Sequence, residues 1–219
     1  SYVSASPDGI NRFAYGRVNA ADKAALKTYL AGMQRAKVTA LSESEQRAFW
    51  INLYNALTID VVLDHYPVKS IRDIGGGLFA SGPWKKEYVT VEGRKLSLDN
   101  IEHDILRKVW RDPRVHYAVN CASMSCPNLM AEAFTGAKLE RMLTQGARDY
   151  VNHPRGARIE KGRLTLSQIY SWYRRDFGAS DAEIIGHVAA YAEPQLKKQL
   201  ADIKTIAGYD YDWSLNEAK

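Results

Sequence analysis

Cysteine is scarce in this 219-residue chain: only Cys121 and Cys126 occur, both within the stretch VHYAVNCASMSCPNL at residues 115–129. Two thiolates cannot complete a tetrahedral zinc site, and no second Cys/His pair with ligand spacing follows, because His153 and His187 stand alone. The C-x2-C of a thioredoxin-like redox site is also missing. Long apolar runs are absent: the richest segment, AFWINLYNALTIDVVL, is broken by Asn52, Asn55 and Asp60, which excludes a membrane-spanning helix. No Ser/Gly- or Pro-rich linker divides the chain, so the expectation is one domain over residues 1–219, with residues 1–40 an N-terminal extension carrying a helix. The glycine-rich IGGGLFASGPW lacks the closing Gly-Lys-Ser/Thr of a P-loop. No metal and no cofactor is expected.

The formal charge is +5, but its basic doublets Lys85-Lys86, Arg174-Arg175 and Lys197-Lys198 are scattered and lack interleaved aromatics. A nucleic-acid partner needs basic residues gathered on one face, so the excess reads as a solvated surface. The first residue is Ser1, with no Met and no basic-then-apolar leader. The expectation is a periplasmic or secreted mature product, or a shortened chain.

The segments that are present predict an α+β fold: a mainly helical core around a central buried helix, with a small, mostly antiparallel sheet of hairpins. DKAALKTYLAGMQ is a short helix. Ser42 and Glu45 form a capping-box signature, and the run from Glu45 to His65 ends at Tyr66-Pro67. This helix is apolar nearly all round and should be buried. Its Asn52 and Asn55 lie on one face, where buried amides either bind loop backbone or line a site. YVTVEGRKLSL reads as a hairpin about Glu92-Gly93, and ARIEKGRLTLSQIYSWY repeats the design about Lys161-Gly162. DAEIIGHVAAYAEPQLKKQLADI predicts a C-terminal helical stretch bent at Pro194. The five tryptophans, Trp50, Trp84, Trp110, Trp172 and Trp213, read as core residues.

A helix from Asp99 to Trp110, at about 100° per residue, aligns Leu98, Ile101, Ile105 and Val109 in one apolar stripe, and Leu106 and Trp110 in another. Glu102 lies between the stripes and is expected to be partly buried, so it must be paired, hydrogen-bonded or protonated. His103, with Asp99 and Arg107 four residues away on either side, fits a charge-paired row. RVHYAVNC alternates as a strand would, placing His116, Ala118 and Asn120 on one side and Tyr117, Val119 and Cys121 on the other. The cysteine pair itself reads as a reactive pair, a disulfide or ordinary small core residues.

Four segments, FWINLYNAL, LSLDNIEHDILR, DPRVHYAVNCASMSCP and YDWSLN, appear in an order that resembles the domain of unknown function 547 family, from about Phe49 to Asn216. Tyr117, Val119 and Ala122 stand where that family's motif has Phe, Leu and Gly, and the second cysteine is similar to the bacterial form. The resemblance brings no established activity. It implies that Asn55, Glu102, His103, Arg107, His116 and Cys121, which match its motif positions, converge on one pocket. Those residue types suit a thiol-dependent hydrolase or acyl transferase of cysteine peptidase or transglutaminase type. Cys121 would be the nucleophile, His103 or His116 the base, Glu102 the orienting carboxylate and Asn55 or Asn120 the oxyanion donor, with Asn52 and Arg107 binding. The alternative is a non-enzymatic cell-envelope binding or scaffolding domain with a Cys121–Cys126 disulfide and an unidentified small-molecule, peptide or protein partner.

Overall fold

A single long helix organises the chain. In the computed structural model, which describes residues 2–75 and 82–218, α1 (Ala20–Gln34) precedes α2 (Glu43–His65), and β1 (Val3–Ala5) pairs antiparallel with β2 (Asn11–Phe13) at the N-terminus. Most of the glycine-rich IGGGLFASGPW lies outside the described residues. Helix α2 is buried on nearly every side: Ile51, Leu53 and Val62 are fully enclosed, each contributing about 1.5–3 kcal/mol through burial. Ser42 caps it by accepting from the Glu45 backbone N–H at 3.4 Å, while the reciprocal half of a capping box forms instead at Ser180 and Glu183.

Both expected hairpins form. Strands β3 (Glu87–Val91) and β4 (Arg94–Ser97) turn at Glu92-Gly93, and β5 (Ala157–Glu160) and β6 (Arg163–Ser167) turn at Lys161-Gly162. All four turn residues have positive φ, the backbone that matches the twist of tight hairpins. The second hairpin is extended by β7 (Ile206–Asp210), which runs parallel to β6. Helix α4 (Leu139–Val151) lies between the hairpins in sequence, and the short α5 (Ile169–Trp172) and α6 (Arg174–Phe177) follow β6. The C-terminal stretch is two helices rather than one bent helix: α7 (Asp181–Tyr191) stops, and α8 (Pro194–Leu200) restarts with Pro194 in its first turn, where the missing N–H costs nothing.

Two further expectations fail locally. Asn100–Leu106 is a π-helical turn that continues as α3 (Arg107–Trp110), with the Arg107 N–H bonded to the Glu102 carbonyl five residues back. The wider turn breaks the assumed 100° stepping, so Leu98, Ile101, Ile105 and Leu106 are buried while Val109 is 62% exposed. RVHYAVNC is not a strand: Asp112 caps a 3-10 helix over Pro113–Tyr117. Its three-residue period replaces strand alternation, and His116, Val119 and Cys121 border the same cavity.

The buried residues form two clusters. One surrounds α2, α4 and β3–β4, and the other gathers Tyr117, Tyr170, Phe177 and Val188 around β5–β7 and α7.

Candidate functional site

A cavity of about 350 Å³ takes its lining from residues of both clusters. Glu102, His103, His116 and Cys121 all reach it, together with Cys126, Asp99 and Tyr54. Its remaining walls are chiefly aromatic, and here the tryptophan expectation divides. Trp50 is buried and Trp110 packs against the core, but Trp84, Trp172 and Trp213 border the cavity. Trp172 is 44% exposed and stacks among Tyr211 and Trp213, with ring centroids 4.8 and 5.4 Å apart. The cause lies outside local sequence: Trp172 ends a one-turn helix, and Trp213 sits in the C-terminal segment that returns after β7.

The π-helical turn sets the acidic floor. Glu102 is only 5% exposed, as its place between apolar stripes predicts, and its carboxylate acts on the Tyr54 and Tyr173 hydroxyls. Burial, with that carboxylate next in order, raises both tyrosine pKa values well above the ordinary phenol range. Glu102 Oε1 stands 3.9 Å from His116 Nδ1 and 4.0 Å from His103 Nδ1, beyond direct hydrogen bonding. Burial also raises the pKa of the neighbouring Asp99.

The two histidines differ in what holds them. Arg107 Nη1 donates to His103 Nδ1 at 3.1 Å, and arginine only donates, so Nδ1 carries no proton and Nε2–H faces Asp99 Oδ1 at 3.7 Å. The expected charge-paired row exists and also reaches the cavity. His116 is enclosed; its Nε2 donates to Asp176 Oδ2 at 2.7 Å and its ring stacks on Tyr173 at 4.1 Å. Asp176 is fixed on its other side by Arg107, at 2.6 and 3.2 Å. Burial alone would raise the Asp176 pKa, but the hydrogen bonds from His116 and Arg107 hold it far below the usual carboxylate range. Asp176, not Glu102, is therefore the carboxylate in contact with His116. Sequence reasoning missed it because RRDFG carries no local signal and the contact spans 60 residues.

The asparagines are committed to backbone. Asn55 Nδ2 donates to the Ala118 carbonyl at 2.9 Å while its Oδ1 accepts from the Asn120 N–H at 2.8 Å. Asn52 clamps Phe134 in the same two-handed way. Asn120 donates to the Pro127 carbonyl and accepts from the Ala122 N–H. None of Asn52, Asn55, Asn120 and Arg107 borders the cavity.

Cys121 and Cys126 lie at disulfide distance from each other, with Cα atoms 6.2 Å apart. Among the described residues no histidine hydrogen-bonds to either sulfur; their side-chain contacts are the Tyr211 hydroxyl, 3.3 Å from each, and Ser123 Oγ, 3.5 Å from Cys121. The intervening loop is laced to the C-terminal segment: Ser125 and Asp212 exchange two bonds, and Met124 N–H reaches the Ser214 carbonyl. Ala122 sits in the left-handed region at φ 60°, which accounts for glycine at this place in the motif it resembles.

The family described as Protein of unknown function, DUF547, matches residues 38–151. The chain belongs to this family. The matched region takes in α2, the first hairpin, the π-helical turn, both cysteines and α4, so this family's segment supplies Glu102, His103, His116 and Cys121, while Asp176, Trp172, Tyr211 and Trp213 come from residues beyond it. No curated protein and no solved structure matches the chain. Among the described residues no helix is long and apolar enough to cross a membrane.

Proposed function

We propose that this domain binds a small organic or peptide ligand in the aromatic cavity, as a periplasmic or secreted binding module whose wall is shaped by the Cys121–Cys126 bond. The supporting observation is that the nucleophile and the amide donors a thiol hydrolase would require are engaged elsewhere. The two sulfurs lie at disulfide distance from each other, and Asn55 and Asn120 spend their amides on loop backbone. The cavity nevertheless keeps three tryptophans and a buried carboxylate, a combination that suits flat apolar groups and cations. A cysteine bond fits an oxidising compartment.

The convergence of Cys121, Glu102, His103 and His116 on one cavity favours a second reading, a thiol-dependent hydrolase or acyl transferase active after reduction. There the Cys121 thiolate adds to a carbonyl carbon, the leaving group departs with a proton from a histidine, and water or another nucleophile releases the acyl group. Tryptophan emission separates the readings. A screen of aromatic and cationic fragments on the oxidised protein is expected to shift emission, with the shift reduced in Trp172→Phe. Silence in the oxidised protein, with ester turnover appearing only after reduction, would favour the hydrolase.

A further inference from the structure

Tyr211 is placed against the cysteine bond in a way that ligand binding does not require. Its hydroxyl accepts from Ser123 Oγ at 2.9 Å, which leaves its own proton free to point at sulfur, and it lies 3.3 Å from both Cys121 and Cys126. A backbone donor reaches only one of the two: the Cys121 N–H is 2.9 Å from Cys126 Sγ, whereas Ser123 Oγ, 3.5 Å from Cys121 Sγ, gives its proton to Tyr211. Exposure is unequal in the opposite sense. Cys126 is 3% exposed, whereas Cys121 is half-buried, and both border the cavity. Cys121 is thus the more open to approach, and Cys126 has the additional backbone donor that stabilises negative charge.

We infer that the cavity admits low-molecular-weight thiols, and that Cys121–Cys126 undergoes thiol–disulfide exchange with attack at Cys121 and departure of Cys126. An incoming thiolate forms a new S–S bond to Cys121 Sγ as the Cys121–Cys126 bond breaks, its electron pair leaving on Cys126 Sγ. The entering sulfur is oxidised and Cys126 is reduced, so no other oxidant is needed. The N–H of Cys121 and the hydroxyl of Tyr211 hydrogen-bond the departing thiolate, which speeds exchange by improving the leaving group. A second thiolate attacking the entering sulfur releases the small disulfide and leaves the Cys121 thiolate. This inference rests on the cysteines being bonded in the native protein, and it makes the cavity wall reactive as well as structural.

The test uses the full chain without reductant. Free thiols are first counted with N-ethylmaleimide; labelling at this stage would refute the bonded pair itself, a failure distinct from an unreactive bond. The protein is then exposed to 2-mercaptoethanol, trapped with N-ethylmaleimide, and mapped by peptide mass spectrometry. The expected product carries mercaptoethanol on Cys121 and maleimide on Cys126, in about tenfold excess over the reverse. Tyr211→Phe should slow exchange about tenfold in protein that remains folded. An adduct chiefly on Cys126, or reaction only in urea-unfolded protein, would overturn the inference, as would an unchanged rate in a folded Tyr211→Phe. The position of the adduct on the wild-type chain decides even where that variant does not fold.

Discussion

Ala122 holds a backbone conformation that costs an L-residue about 1 kcal/mol, next to the cysteine that borders the cavity. Ala122→Gly should therefore raise stability only slightly, by up to about 0.5 kcal/mol read from the urea midpoint, because relief of the left-handed strain is largely offset by the added freedom of the unfolded chain. A fall in stability would mean that the Ala122 methyl group contributes more through packing than its backbone costs. Asn55→Ala tests the other side of the same loop. It strands the buried Ala118 carbonyl and Asn120 N–H, at about 1–3 kcal/mol each, so urea unfolding should show a loss of about 2–6 kcal/mol. An unaltered midpoint would return Asn55 to the list of site candidates. At this scale the burial of Glu102 was legible, because its neighbours' apolar spacing placed it inward. The partner of His116 was not legible, since Asp176 is an ordinary carboxylate until the fold brings α6 against the 3-10 helix.

The elements around the cavity depend on close approach as much as on propensity. Helix α4 meets the 3-10 helix at Gly146, where an added Cβ would stand 2.8 Å from the Tyr117 carbonyl and 3.2 Å from Met130 Cε. Alanine favours a helix by about 1 kcal/mol over glycine, but the forced displacement costs about 1–3 kcal/mol. Gly146→Ala should thus lower the melting temperature by a few degrees, measured by circular dichroism; a higher melting temperature would show that the contact yields freely. Helices α1 and α2 and both hairpins were readable from caps, apolar patterning and Glu-Gly or Lys-Gly turns. The exceptions were the π-helical turn and the 3-10 helix. A wide turn leaves no mark in residue spacing, and alternation in RVHYAVNC imitates a strand although Asp112-Pro113 supplies a helical start.

For the molecule as a whole, acid sensitivity should come in part from His187. Burial is the chief cause that lowers its pKa from 6.5 to about 4, and its Nε2 sits 2.9 Å from the Tyr117 hydroxyl within the second apolar cluster. The folded pKa is depressed, so the unfolded chain binds this proton first: its contribution is complete above about pH 6.5 and is lost as pH falls toward 4. After allowance for partial exposure this amounts to about 1–2 kcal/mol, and His187→Gln should flatten urea stability across that window relative to wild type. Parallel pH profiles would remove His187 from the account. The same whole-chain view explains why the α+β architecture could be read from sequence while the aromatic cavity could not. Local patterns specify helices and hairpins, but Trp84, Trp172 and Trp213 meet only after distant segments pack, and spacing alone does not bring the two cysteines to disulfide distance. The Cys121–Cys126 bond is the point on which the binding reading turns. Peptide-resolved mass spectrometry of the native protein, alkylated with iodoacetamide across pH 4 to 9 without and then with reductant, tests it most directly. The account predicts no label on Cys121 or Cys126 until reductant is added; rapid labelling of Cys121 in unreduced protein, well below the ordinary thiol range near 8.5, would contradict it and establish a free thiolate in the cavity.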